Sequence, residues 1–152
     1  MRGDKLTRLE RHLAIAVAGF NALSAVGGGA AALLTDGLGA PRSILDGTPF
    51  RSFVLPELIL LAVVGGTQAI AAVQLMRRAP SSLVWNAIAG FGMIIWIMTE
   101  VMLIPGSSWL QVLYFGTGVL QLALTFGLLG ILPWLPGVAL VPRRTPARRP
   151  AA

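Results

Sequence analysis

Residues 83–104 read LVWNAIAGFGMIIWIMTEVMLI, a run of 22 residues with one charged side chain, Glu100, near its C-terminal end. At ~1.5 Å of rise per helical residue the run is just long enough to cross ~30 Å of hydrocarbon. It contains no Lys or Arg, so no cation within the segment can neutralise Glu100. Residues 13–34, 53–76 and 109–132 are three further apolar runs of similar length. Together they predict an all-α fold, an integral membrane four-helix bundle running up-down-up-down.

The composition agrees. Of 152 residues, 55% are hydrophobic and 12% charged, against ~25% charged in an ordinary soluble domain. The absence of cysteine removes disulfides, thiolate nucleophiles and thiolate metal sites. A net charge of +6 would suit nucleic acid, but the basic residues bracket apolar runs and form no continuous basic face. No nucleic-acid partner is expected. The abundance of Arg, Ala, Gly and Pro suggests a bacterial genome rich in GC.

The chain divides into a basic N-terminus (1–12), a four-span region (13–136) and a tail (137–152) expected to be disordered. A basic start ahead of an apolar run also describes a secretory signal peptide, whose apolar core takes roughly 7 to 15 residues. The 13–34 run is longer, so it is read as a retained first span. Within it Ala14, Val17, Asn21, Ser24, Gly28 and Ala31 share one face by their three-four spacing, with Ala18, Ala22, Ala25 and Gly29 in a row beside it. Such small residues let helix backbones approach closely in lipid. Gly27-Gly28-Gly29 is read the same way, as close packing and not as an unwound turn.

Residues 35–52 form the one sizeable loop, with Pro41, Asp46-Gly47 and Pro49 as turn formers and a short helix expected from Pro41 to Leu45. In the second span Glu57, Leu61, Val64, Gln68 and Leu75 share a face, and Ala62 and Gly66 suggest a small-residue contact on another. In the third, Asn86, Met93 and Glu100 recur every seven residues. Tight turns at Arg77-Arg78 and Pro105-Gly106 join the later spans.

Ten of the twelve Lys/Arg lie in the N-terminus, the Arg77-Arg78 turn and the tail, which fall on one side of a four-span chain. That is the positive-inside distribution, and it predicts cytoplasmic termini, a multi-pass protein of the inner (plasma) membrane and an outer loop at 35–52. Trp85, Trp109 and Trp134 fall where aromatic belts are found. Arg77, Arg78, Arg143, Arg144, Arg148 and Arg149 are candidates for anionic lipid headgroups, at ~1 kcal/mol each near the surface.

With this topology Glu57, Glu100 and Gln111 share a depth in the outer leaflet, and Asn21, Gln68 and Gln121 lie near the midplane. Gln74 and Asn86 extend a polar ladder toward the inner side. The candidate polar site comprises Glu100, Gln111, Tyr114, Glu57 and Arg51, with Glu100 expected to hydrogen-bond Gln111 or Tyr114 across the Pro105 turn. Arg51 reaching down from the loop would make Glu100 a structural ion pair. An unpaired Glu57 beside it would instead permit proton or cation traffic. The amides read equally as interhelical hydrogen bonds, at ~0.6 kcal/mol each. No metal-ligand set, nucleophile–base pair or phosphate loop is visible, so no catalytic residue, metal or cofactor is expected.

Gly47-Thr48-Pro49-Phe50 followed by Pro56 and Leu58 to Leu61 resembles a pattern found in small bacterial four-helix inner-membrane proteins without an assigned activity. Trp96-Ile97-x-x-Glu100 and Trp109-Leu110-Gln111-x-x-Tyr114-Phe115-x-x-Gly118 fit the same pattern, over roughly residues 45–120. The pattern carries Pro-Gly where this chain has Pro56-Glu57, which ranks Glu100 above Glu57 as a site. The resemblance implies the fold and no activity. Two functions are expected from the residues: a structural or interaction subunit packed through Gly/Ala-rich faces against a membrane-protein partner or its own copies, or a small transporter or channel for protons or cations using Glu100.

Overall fold

The computed structural model describes residues 2–104, 106 and 108–130, with side chains from residue 5 onward. The expectations for Pro105, Trp134, the end of the fourth run and the tail with its four arginines lie outside these residues.

Four long helices account for most of the described chain: α1 (Arg2–Leu34), α2 (Val54–Met76), α3 (Ser82–Leu103) and α4 (Trp109–Leu128). Each is long and apolar enough to cross a membrane, and no strand occurs among the described residues. α1 extends through the basic segment that the sequence sets apart, because Leu6, Arg8, Leu9, Glu10 and Arg11 are good helix formers with no Pro or Gly among them. It passes through Gly27-Gly28-Gly29 without unwinding. A 3-10 turn (Arg42–Leu45) follows Pro41, as the sequence suggests. Gly130, at φ +70°, takes the left-handed conformation just past α4, which ends the helix.

The interior is small and polar and the exterior large and apolar. Ala14, Ala18, Ala71 and Ala89 are buried, whereas Leu23, Ile95, Met102 and Val112 are among the most exposed side chains. In water that distribution would forfeit the hydrophobic effect. In lipid it loses nothing, because helix association there rests on close packing and interhelical hydrogen bonds. The four helices mark the chain as a multi-pass membrane protein.

Consecutive helices pack antiparallel, and glycines set the distances. At Gly118 of α4 an added Cβ would lie 2.9 Å from Ile94 Cγ1 and 3.1 Å from the Gly90 carbonyl oxygen of α3. At Gly29 of α1 it would meet Leu61 Cβ at 2.9 Å and the Glu57 carbonyl oxygen at 3.1 Å, and at Gly65 of α2 it would meet Val26 Cγ2 at 2.8 Å. Gly28 and Gly66, by contrast, face open space, and Ala62 is exposed.

The contact expected through Ala62 and Gly66 is therefore made through Gly65. Gly65 is buried beside Val64 and Gln68, on the face that the three-four spacing assigns to the interior, and Gly66 lies off it; the segment Ile59–Gly65 is π-helical. The Thr67 hydroxyl donates to Val63 O (2.8 Å) and Val64 O (3.0 Å), giving partners to carbonyls at the end of the wide segment.

Candidate functional site

Halfway along the bundle the four helices meet in a layer of buried amides. Gln68 (α2) and Gln121 (α4) pair reciprocally, Nε2 of each donating to Oε1 of the other at 3.1 and 3.0 Å. Gln121 Nε2 also donates to Asn86 Oδ1 at 2.8 Å, and Asn86 Nδ2 donates to Thr125 Oγ1 at 2.8 Å. Gln68 Nε2 reaches the Ala89 carbonyl at 3.1 Å, and the Thr125 hydroxyl donates to Gln121 O at 2.8 Å. Gln68, Asn86, Gln121 and Thr125 are all buried. The close approach of Gly90 and Gly118 holds α3 and α4 near enough for these bonds to form.

Beneath this layer the ladder is interrupted by an apolar core, and buried polar side chains return only at the end of the bundle, with Glu10 and Ser82. The core there is Ala14, Leu75, Leu124 and Leu128. Gln74, expected to continue the polar ladder, sits in a shallow surface groove beside Ala69, Ile70, Val73 and Arg77. It is the helical phase of α2 that turns Gln74 away from the buried Leu75.

Replacing Gln121 by Leu leaves Gln68 Oε1 and Asn86 Oδ1 without the donors they have now. A loss of about 1–3 kcal/mol is expected, within the range for a buried acceptor left unsatisfied. The triple change of Gln68, Asn86 and Gln121 to Leu should cost less than the sum of the three single changes, because no amide is then stranded. Unfolding titrations of the purified variants in detergent check this; additive losses would show that the layer is not a network.

Above the layer lies a cavity of about 310 Å³, walled by all four helices. Ser24, Ala25 and Gly28 come from α1, Glu57 and Leu60 from α2, Met93, Trp96, Ile97 and Glu100 from α3, and Leu110, Gln111 and Tyr114 from α4. A second cavity of about 220 Å³ lies under the 35–52 loop, against Ile44, Leu45, Thr48, Phe53 and Thr99. Glu57, Leu60, Trp96 and Glu100 line both. Glu57 and Glu100 thus belong to the wall shared by the two cavities.

Of the five residues that the sequence assigns to the polar site, four line the larger cavity: Glu100, Glu57, Gln111 and Tyr114. The expected hydrogen bond from Glu100 to Gln111 or Tyr114 does not form among the described residues. Gln111 Oε1 accepts the Ser108 backbone N–H at 3.0 Å, in a capping box that starts α4. Tyr114 stacks on Phe20 of α1, with ring centroids 6.0 Å apart and an interplanar angle of 19°. Arg51, the fifth, is exposed and lines neither cavity. The one ion pair among the described residues joins Arg42 and Asp36 on the loop surface at 2.7 Å.

The sequence reading missed Trp96 as a cavity residue. It lies one turn before Glu100, lines both cavities with it, and its Nε1–H is buried without a hydrogen-bond partner among the described residues. The four-residue spacing in Trp96-x-x-x-Glu100 was the available signal. Asn21, expected at the midplane, is fully buried, and neither its Nδ2 nor its Oδ1 has a partner among the described residues. Arg77 and Arg78 are exposed at the turn between α2 and α3, with Arg78 left-handed at φ +54°.

No family model, curated protein or solved structure matches the chain. Its site is therefore read from its own geometry.

Proposed function

We propose that the chain binds an organic cation within the outer half of the bilayer, at the cavity between Glu57 and Glu100. One observation carries the reading: two carboxyl groups share an otherwise largely apolar cavity, and no Lys, Arg or His lines it. Charge balance has to come from outside the chain, as a proton or as a bound cation. A hard metal ion is a poor fit. Ca²⁺ takes about six to eight oxygen ligands, and no cluster of three or more metal-ligating side chains occurs among the described residues. Two carboxylates beside Trp96 and Tyr114, with Leu60, Met93, Ile97 and Leu110 around them, suit an ammonium or iminium group on an apolar body.

The reading is of a binder or transporter, not of an open channel. The amide layer and the apolar core below it close the inner half of the bundle in this conformation. The test is equilibrium binding of radiolabelled tetraphenylphosphonium to the full chain in lipid nanodiscs. Saturable binding that weakens on acidification is expected, because protons compete with the cation for the carboxylates. Binding that does not saturate above empty nanodiscs would overturn the reading.

In the same proposal both termini are cytoplasmic, the helices run up-down-up-down in the inner membrane, and Arg77 and Arg78 face anionic headgroups. A reporter inserted near Gly39 should then read outside and reporters at the termini inside. A terminal reporter on the outside would invert the depth assigned to the cavity.

A structural or interaction subunit is the second reading, and one observation favours it. At Gly66 and Gly92 an added Cβ meets no other helix within 4 Å among the described residues, so a helix of a partner or of a second copy has room to approach there.

A further inference from the structure

Glu57 and Glu100 stand where α2 and α3 part. Deeper in the bundle the two helices pack side by side, along Gly66–Met76 of α2. Toward the outer end they diverge, and among the described residues no Cα of Val54–Leu58 comes within 8 Å of a Cα of α3. The two cavities meet at this gap. The larger reaches into the bundle against α1 and α4, and the smaller lies under the 35–52 loop. The residues common to both, Glu57, Leu60, Trp96 and Glu100, come from the two diverging helices alone.

We infer that one ligand occupies both cavities, with its cationic nitrogen at the shared wall and an apolar arm extending to each side. The inference rests on the proposed cation site and adds the shape of what fills it. The ligand class is a secondary, tertiary or quaternary ammonium with two or more apolar substituents, its charge in the middle of the molecule.

The charge belongs in the middle because of where its partners are. Among the described residues Glu57 and Glu100 are the only charged side chains that line either cavity, and both belong to the shared wall. In the smaller cavity the other polar side chains are Thr48 and Thr99, whose hydroxyls donate to the Leu45 and Ile95 carbonyls at 2.8 Å. In the larger, Gln111 Oε1 already accepts the Ser108 N–H, and Ala25, Met93, Ile97 and Leu110 supply apolar wall.

The volumes set the size of each arm. An apolar cavity of about 150 Å³ holds a benzene ring, or roughly 25 Å³ per carbon. On that scale the cavities of about 310 and 220 Å³ each admit an arm of about seven carbons. Two such arms need about 350 Å³, more than either cavity offers alone.

The test is calorimetric titration of heptylamine and diheptylamine into the full chain in nanodiscs, with empty nanodiscs subtracted. Gly28→Trp and Ser24→Trp each fill the larger cavity; a Cβ added at Gly28 meets nothing within 4 Å, so the new side chain has room to enter. Thr99→Trp fills the smaller cavity from α3, and Ala40→Trp fills it from the loop. Heptylamine has one arm and takes whichever cavity stays open, so it serves as the reference. Diheptylamine needs both. Its affinity relative to heptylamine should fall about tenfold or more in every variant, the scale of overfilling a packed interior. Comparing this ratio between proteins removes the difference in lipid partitioning between the two amines.

A ratio that both members of either pair leave unchanged would put the two arms on one side, and would overturn the inference while the cation site stands. Loss of heptylamine binding in both members of a pair would overturn it as well, because the remaining cavity would not hold one arm by itself. A wild type that binds neither amine nor tetraphenylphosphonium would remove the cation site itself.

Discussion

Changing Glu100 to Gln should reduce tetraphenylphosphonium affinity by at least about thirtyfold, on the scale of about 2–5 kcal/mol for truncating one partner of a buried charge pair. The side chain keeps its shape and loses only the charge. Glu100 lines both cavities, follows Trp96 by one turn, and has no cationic neighbour among the residues lining the cavities. Glu57→Gln should cost less, because Glu100 then remains to carry the negative charge.

Neither substitution should lower the stability of the bundle, since no hydrogen bond holds either carboxyl to another helix among the described residues. Isothermal or radioligand titration in nanodiscs gives the affinity, and a thermal melt of the same preparation gives the stability. Wild-type affinity in Glu100→Gln would end the proposal. A variant that loses binding and stability together would make Glu100 a structural residue.

Gly118→Leu is expected to destabilise the bundle by about 3 kcal/mol, toward the upper end of the cost of overpacking a tight interior. Even the Cβ would stand 2.9 Å from Ile94 Cγ1 and 3.1 Å from the Gly90 carbonyl oxygen. The carbonyl belongs to a helix backbone and cannot rotate away, so α3 and α4 have to separate. Separation stretches the Asn86–Gln121 and Asn86–Thr125 hydrogen bonds that bridge the same two helices one to two turns deeper. Packing and polar losses therefore arrive together.

Gly116→Leu is the control. It sits on the same helix, its added Cβ meets nothing within 4 Å, and its effect should stay within about 0.5 kcal/mol. Denaturant titrations of both variants in one detergent decide the matter; equal midpoints would show that the Gly90–Gly118 contact does not limit the packing of α3 on α4.

The glycines show how far a sequence can be read here. Three-four spacing placed Gly28 and Gly29 on neighbouring faces of α1, both suited to close packing. Only the fold separates them, because the Glu57 carbonyl and Leu61 of α2 press on Gly29 while Gly28 opens on the cavity. In α2 the small-residue spacing pointed to Ala62 and Gly66, and the close contact with Val26 of α1 is made at Gly65. Local composition does not announce which of two adjacent glycines makes the contact, since that depends on how α2 lies against α1.

The polar residues divide in the same way. Gln68 and Gln121 were legible as midplane amides, because a carboxamide inside an apolar run has to find a partner there. Which amides pair was not legible. Gln121 takes Gln68 and Asn86, leaves Asn21 alone, and closes the layer with Thr125. Gln111 looked free to meet Glu100, but a nearer backbone N–H at Ser108 takes its oxygen.

The sequence by itself determined that the chain holds four long helices and that they are apolar, though not that α1 begins at Arg2. Each helix satisfies its own backbone within one segment, and hydrocarbon thickness alone sets how long that segment must be. Tertiary structure decided which small residues touch, which amides pair, and that two carboxyl groups from different helices share one cavity wall. Those outcomes depend on the rotation and distance of each helix against its neighbours, which in lipid are set by close packing and by a few interhelical hydrogen bonds.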